Sequence, residues 1–357
     1  MNILLIGGKG FLGRHLLNAL SMSDTGNLRV TVGSRRPDKD TIIVNLDDPA
    51  DYPKFQDFDA VINCAALPYE RYEPLVCYCL DHDVRMLETT ADPAVILLLM
   101  KLRQQLSGHL PVKAPSGLFL FGIGVFPGIS NLLIKRGLSG NRDAKQVLLG
   151  IQYKVMSGAG RGMCQMMTDT IGSPGYWYEQ GRERVSTVPF SGLSQLPFRA
   201  IPSTAIRVTL GELYTMHNLF PSGSASCYIS FRPVLFNRAS YHLFNGVSRL
   251  GVLKKPALRL LYSLFYFVRG ILLRSRKTDI RLLCTVTGVQ TGDVKQQHIW
   301  FNDAFLAAGL FTAAILQQLQ ANPDRSGCHA VEDLYTLDAI LPIMAGLSNG
   351  ALKYECA

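Results

Sequence analysis

The sequence predicts an α/β protein, an N-terminal doubly wound parallel sheet with an inserted α+β domain and a C-terminal helical return. Three observations carry this. The chain opens on a short apolar run that stops at spaced glycines, the first 125 or so residues alternate strand-like and helix-like segments, and from Val147 onward the pattern changes to hairpin-like strands.

Asn2-Ile-Leu-Leu-Ile6 has the length of a buried strand and runs into Gly7-Gly8-Lys9-Gly10-Phe11-Leu12-Gly13. Such a turn between strand and helix binds a dinucleotide in a Rossmann domain. Gly8 allows the tight turn, Gly10 leaves room for a pyrophosphate, and Gly13 brings the helix close, so the helix N–H groups face the phosphate. Phe11 and Leu12 belong to the same cradle, and a helix over 11–20 presents Leu12, Leu16, Leu17 and Leu20 on one side. Residues 28–33 read as the second strand, ending in Ser34-Arg35-Arg36 with no acid. Arginines there suit a 2′-phosphate, whereas an acid would suit the free ribose of NAD, so NADP is expected over NAD.

Residues 41–46 and 59–68 read as the third and fourth strands. In the latter, Asn63, Ala65 and Ala66 leave space for cofactor at the carboxyl end. A helix over 73–82, a strand over 85–92, a helix over 94–106 and a sixth strand over 117–126 complete the sheet. Pro127-Gly128 then leads into a helix from 129. Beyond it, strands are expected over 148–156, 207–212, 226–232 and 281–290, a helix over 162–171, and an end strand or loop over 292–300. Helices over 303–319 and 330–341 return to the nucleotide domain. The expected domains are 1–128, 129–301 and 302–357.

Composition fits an ordinary globular chain, 48% hydrophobic and 18% charged. The opening strand resembles no secretory signal, so a cytoplasmic location is expected. Eight cysteines without a C-x-x-C read as buried thiols, and no metal site is expected. The net charge of +9 is local: between Arg238 and Arg281 ten Lys or Arg face one acid, Asp279, which points to a surface contact and away from nucleic acid. Within this block, 250–273 is an apolar helix with basic ends, and Lys254 to Lys277 is the region of possible contact. Its uncharged run from Arg259 to Arg269 is nine residues, against about twenty for a span. A subunit interface or substrate cleft carries more weight for it than the surface of an anionic membrane.

Gly7-Gly-x-Gly-x-x-Gly13, Val61-Ile-Asn-Cys-Ala-Ala66, Glu88-Thr-Thr-Ala-Asp92, Gly122 with Pro127-Gly128-Ile-Ser-Asn-Leu132, and Ala307-Ala308-Gly309 followed by Gly327 resemble the saccharopine dehydrogenase-like family. The resemblance implies an NAD(P)-dependent oxidoreductase acting on C–N bonds of amino-acid-derived small molecules through imine chemistry, working as a homodimer. It also places Gly122, Pro127 and Gly128 near the cofactor. Val125-Phe126 stands where some members have a polar residue before the Pro-Gly, so a non-catalytic or regulatory NADP-binding protein, peripheral to a membrane, is the alternative. Short-chain dehydrogenases share the opening turn but need a Tyr four residues before a Lys. None of the fourteen tyrosines has one.

Asp92 is the candidate acid or amine-binding group, with helix capping as its competing role. Arg161, in the glycine-rich 157–162 turn, is the candidate for a substrate carboxylate. Lys154, His217, His242 and His298 read as structural, and Tyr176-Trp177-Tyr178 as core or cleft lining.

Overall fold

The computed structural model describes residues 1–22, 28–36, 38–108, 115–141, 143–154, 161–199, 202–272, 278–289 and 292–357, with the backbone alone at 107–108, 161–163 and 268–272. The chain divides into two compact units, Met1–Leu132 with Phe305–Leu352, and Leu133–Ala304 with Lys353–Ala357. The residues expected as one C-terminal segment, 302–357, are thus shared. Most belong to the first unit, and the last five supply a strand to the second.

The first unit alternates β1 (Asn2–Ile6), α1 (Phe11–Met22), β2 (Arg29–Ser34), β3 (Thr41–Ile43), β4 (Ala60–Asn63), α2 (Tyr72–Asp81), β5 (Arg85–Glu88), α3 (Pro93–Gly108), β6 (Leu118–Phe121) and the beginning of α4 (Ser130–Ser139). β1 and β2 have the expected lengths, whereas β3 to β6 are shorter than the apolar runs suggested. Gly122, with φ +80°, ends β6, and Asp92 lies four residues past β5. The sheet is parallel throughout and has seven strands among the described residues. Six match the sequence expectation. The seventh, Gly327–Ala330, pairs with β6 at the sheet edge. Its four residues contain no apolar run, so nothing in the sequence marks it.

Apart from Asn2, the side chains of β1, β4 and β6 are buried, which is why these segments lack the polar alternation of a half-exposed strand. A long helix, Ala304–Ala321, has the length and composition to cross a membrane. Yet 61% of it is buried within the protein, as in a core helix. Its Gly309 lies against α1, where an added Cβ would overlap that of Ala19.

The second unit is a nine-stranded, mainly antiparallel sheet. In chain order it comprises β7 (Ala144–Lys154), α5 (Arg161–Gly172), β8 (Gly175–Glu179), β9 (Arg182–Ser186), β10 (Leu193–Leu196), β11 (Ser203–Val208), α6 (Glu212–Leu219), β12 (Ser224–Arg232), α7 (Leu235–Ser248), α8 (Lys254–Leu272), β13 (Ile280–Gly288) and β14 (Val294–Phe301). Next come α9 (Ala304–Ala321), β15 (Gly327–Ala330), α10 (Val331–Leu334) and α11 (Leu337–Leu347) of the first unit, and finally β16 (Tyr354–Cys356), which pairs with β14.

The central strand β7 has antiparallel β13 on one side and parallel β12 on the other. The strand expected over 207–212 is in fact two elements. β11 ends at Val208, and a turn closed by Leu213 N–H to Leu210 O, 3.1 Å, starts α6 at Glu212. Helix α7 has no counterpart among the sequence expectations. Of the cysteines, all eight are free, and Cys77 is exposed where burial was expected.

Candidate functional site

The opening turn has the geometry of an anion cradle. Gly7 adopts φ +79°, a conformation that side chains resist, and so takes the role of tight-turn residue expected of Gly8. Its N–H donates to Gly33 O at 3.1 Å, and Gly10 N–H donates to Gly7 O at 2.8 Å, folding the loop back over the end of β1. A Cβ on Gly13 would overlap the Gly7 carbonyl oxygen and lie 2.6 Å from Gly8 Cα. Helix α1 therefore touches the turn backbone to backbone. The N–H groups of Phe11, Leu12 and Gly13 form no hydrogen bond among the described residues. Three donors at a helix N-terminus, all on one side of a close-packed loop, fit a pyrophosphate. The Phe11 ring does not line this cradle alone: it packs with His15 and Phe305, centroids 4.9 and 4.8 Å away, and so fixes the helix entry.

Beyond β2 the cations are arranged differently from a simple pair of arginines. Arg36 N–H donates to Ser34 Oγ at 3.2 Å, which shapes the turn, and the Arg35 guanidinium lies 3.7 Å from Asp47, largely in solvent. Lys9, inside the glycine loop, is ion-paired with Asp38. That hydrogen bond to Lys9 holds the Asp38 carboxyl below its usual range. The acid that follows the two arginines in sequence is therefore already engaged by a lysine of the glycine loop, a pairing that sequence separation alone did not reveal.

At the carboxyl ends of β4 and β5 the predicted contact Asn63 turns inward. Its Nδ2 donates to Glu88 Oε2 at 2.7 Å and its Oδ1 accepts from Ala65 N–H at 2.9 Å, so Asn63 shapes the 64–66 loop from beneath. Ala65 is half-buried and Ala66 exposed, the open side of that loop. Glu88 is fully buried and also accepts from Thr90 N–H at 2.7 Å; burial pushes its carboxyl up to about 8, with the hydrogen bonds from Asn63 and the Thr90 and Thr89 amides opposing the rise. An acid more readily protonated in the folded state than at its ordinary value of 4.5 removes stability as pH rises from there to about 8, and the loss is complete above that. The total comes to roughly 5 kcal/mol. Denaturant midpoints across this range should show the decline in the native protein. The decline should be absent from Glu88→Gln, whatever the variant's absolute stability.

Asp92 caps α3: its Oδ1 accepts from Ala94 N–H at 2.9 Å. The side chain is exposed, and its second oxygen is the only atom left for the substrate role considered for it. Gly122, Pro127 and Gly128 form an irregular turn in which Gly128 has φ +138° and a Cβ would lie 2.8 Å from Gly122 O. That turn sets the start of α4, where Asn131 Nδ2 donates to Glu332 Oε2 at 2.9 Å, a buried pair just past β15. Glu332 belongs to α10, the acidic start of the helix expected over 330–341, and its buried pairing with Asn131 spans 201 residues of sequence.

In the second unit, Arg161 begins α5, but its side chain and the 157–160 turn lie outside the described residues. His217 stacks on Tyr178, centroids 3.8 Å apart, a structural contact. A cationic cluster here was not foreseen. Arg281 lies opposite Trp300 in the β13–β14 register with its guanidinium 5.7 Å from the ring centroid. Arg232 donates to Asp279 at 2.7 Å. The Nε atoms of both arginines are buried without a hydrogen-bond partner among the described residues. Burial, then the neighbouring charges of Arg199 and Arg232, lower the Arg281 pKa.

Comparison with known proteins gives partial matches. Residues 3–73 match the model of the NAD dependent epimerase/dehydratase family, a region that includes the glycine turn and β2. No curated protein matches the chain in sequence. Among solved structures, a Corynebacterium glutamicum DAP dehydrogenase in complex with DAP is 12% identical, with 96% of this chain and 95% of that one covered and a TM-score of 0.45. An engineered D-amino acid dehydrogenase bound to NADP+ is also 12% identical, with 93% of each covered and a TM-score of 0.44. A probable dehydrogenase from Thermotoga maritima is 10% identical, covering 98% and 95%, with a TM-score of 0.43. At these scores the likeness carries no residue-level correspondence.

Proposed function

We propose that the protein is an NADP-dependent oxidoreductase of the saccharopine dehydrogenase-like type, acting at the C–N bond of a small amino-acid-derived molecule. The observation that carries the cofactor half is the row of unengaged N–H groups on Phe11, Leu12 and Gly13 above a glycine turn too tight for any side chain at Gly13. A bound nicotinamide dinucleotide supplies the hydride. The chain's own residues bind and orient it: the turn takes the pyrophosphate, Arg35 and Arg36 take the 2′-phosphate, and the Asn63–Glu88 pair holds the 64–66 loop in shape. The family match over the first 73 residues supports the dinucleotide.

Titration with NADPH and NADH, followed by NADPH oxidation against a panel of keto acids with added amines, tests both halves. Micromolar NADPH binding with turnover of at least one keto acid–amine pair is expected. Absence of NADPH binding overturns the reading, while binding without turnover across the panel overturns the catalytic half. A smaller effect follows from the Lys9–Asp38 pair: Asp38→Asn releases Lys9 beside the arginines and should tighten NADPH, and not NADH, by roughly twofold to fivefold in calorimetric titration.

A further inference from the structure

We infer that α7, the turn after it and α8 form a docking face for the surface of an anionic phospholipid bilayer. The face is apolar where a domain surface is ordinarily polar. Leu235 at the start of α7 is 88% exposed, Val252 in the Gly251–Leu253 turn 93%, and Leu260 and Phe267 on α8 73% and 65%. Leu243, Leu253 and Leu264 lie exposed between them. These are side chains of three consecutive elements that pack on one another, so they form a patch and not scattered positions.

Helix α8 has two apolar stripes. Leu261 and Phe265 face inward, Phe265 meeting Phe244 of α7 edge-on at 5.8 Å, and this stripe anchors the helix to its unit. Leu260, Leu264 and Phe267 form a second stripe at helical spacing, roughly 120° round the helix from the first, and nothing in the described chain covers it.

Charge selects the occupant. Arg238, Arg249, Lys255 and Arg259 are exposed around the apolar side chains, and no acid occurs anywhere between Glu212 and Asp279. A second copy of the chain, docked on the same face about a twofold axis, would set these cations against their own kind across a low-dielectric contact. A sheet of anionic headgroups over acyl chains meets both halves of the surface at once: aliphatic and aromatic side chains enter the boundary, and the basic rim pairs with phosphates. A helix in the membrane plane also accounts for an apolar length too short to span.

Flotation of the full-length protein with phosphatidylcholine vesicles, with and without phosphatidylserine, tests the assignment independently of cofactor binding. The protein should float with the phosphatidylserine vesicles and stay behind with the neutral ones, and added salt should release it. Lys254→Glu with Lys255→Glu should weaken binding by at least about tenfold. Leu260→Glu with Phe267→Glu should abolish it while leaving the circular-dichroism spectrum, the thermal melting and NADPH affinity unchanged, which shows that both units are folded. Failure of the native protein to float, or flotation unaffected by both double variants, overturns the proposal. So does a sedimentation dimer that Leu260→Glu with Phe267→Glu dissociates in a protein that does not float, since a second copy then covers the face.

Discussion

Gly13→Ala is expected to lower NADPH affinity by at least about a hundredfold and to cost about 3 kcal/mol of stability or more. The added methyl group would enter the Gly7 carbonyl oxygen and come within 2.6 Å of Gly8 Cα. Both are backbone atoms, and Gly7 is itself held by its hydrogen bond to Gly33. No rotamer change relieves the overlap, so α1 must withdraw, and its three donor N–H groups leave the phosphate position with it. Gly10→Ala should be milder, because its Cβ would meet only Gly7 O, at 3.0 Å. Gly246→Ala provides the opposite control. It lies inside α7 with nothing within 4 Å, and should gain up to about 1 kcal/mol from helix propensity. Calorimetric titration with NADPH and thermal melting of the three variants should rank them in this order; native-like NADPH affinity in Gly13→Ala would remove the cradle from the binding site.

Replacing Arg35 and Arg36 together by Ala should weaken NADPH by about a hundredfold and leave NADH within about twofold. The argument rests on charge placement. Asp38 is engaged by Lys9 and held ionised, so it repels a phosphate less than a bare carboxylate would, and it is poorly placed to accept from a free ribose. Asp47 lies 3.7 Å from Arg35, close enough to orient it and too solvent-exposed to neutralise it. On the proposed NADP reading, selectivity would rest on the arginines. Equal losses for NADPH and NADH in the double variant would mean that these side chains hold the adenosine without reading the 2′ position.

The parts legible in the sequence are those fixed by short-range sterics. A glycine at a fixed spacing, an apolar run of strand length and a Pro-Gly stop each constrain the backbone within a few residues, so β1, the turn, α1 and the order of the first six strands follow from them. The limits of the strands were less legible, because Asn63, Glu88 and Gly122 end them through contacts made across the sheet. Asn63 illustrates the same point for the site. Its place at the carboxyl end of a strand follows from the sequence, but its inward turn depends on Glu88, twenty-five residues away. Arg281 and Trp300 were invisible as a pair because a hairpin register brings them together. The exposure of Leu260 and Phe267 likewise depends on what α5 and α7 leave uncovered.

The placement of β15 has a consequence for how the chain is made. Its neighbour β6 is present once residue 121 has been synthesised, with four large apolar side chains and one unpaired edge, and the strand that closes this edge arrives only with Gly327–Ala330. Throughout the synthesis of the second unit, then, the nucleotide sheet has an open flank of the kind that recruits foreign strands. A nascent chain stalled before residue 327 would present that flank to its neighbours, so premature termination there carries a risk of clumping beyond the mere loss of the protein.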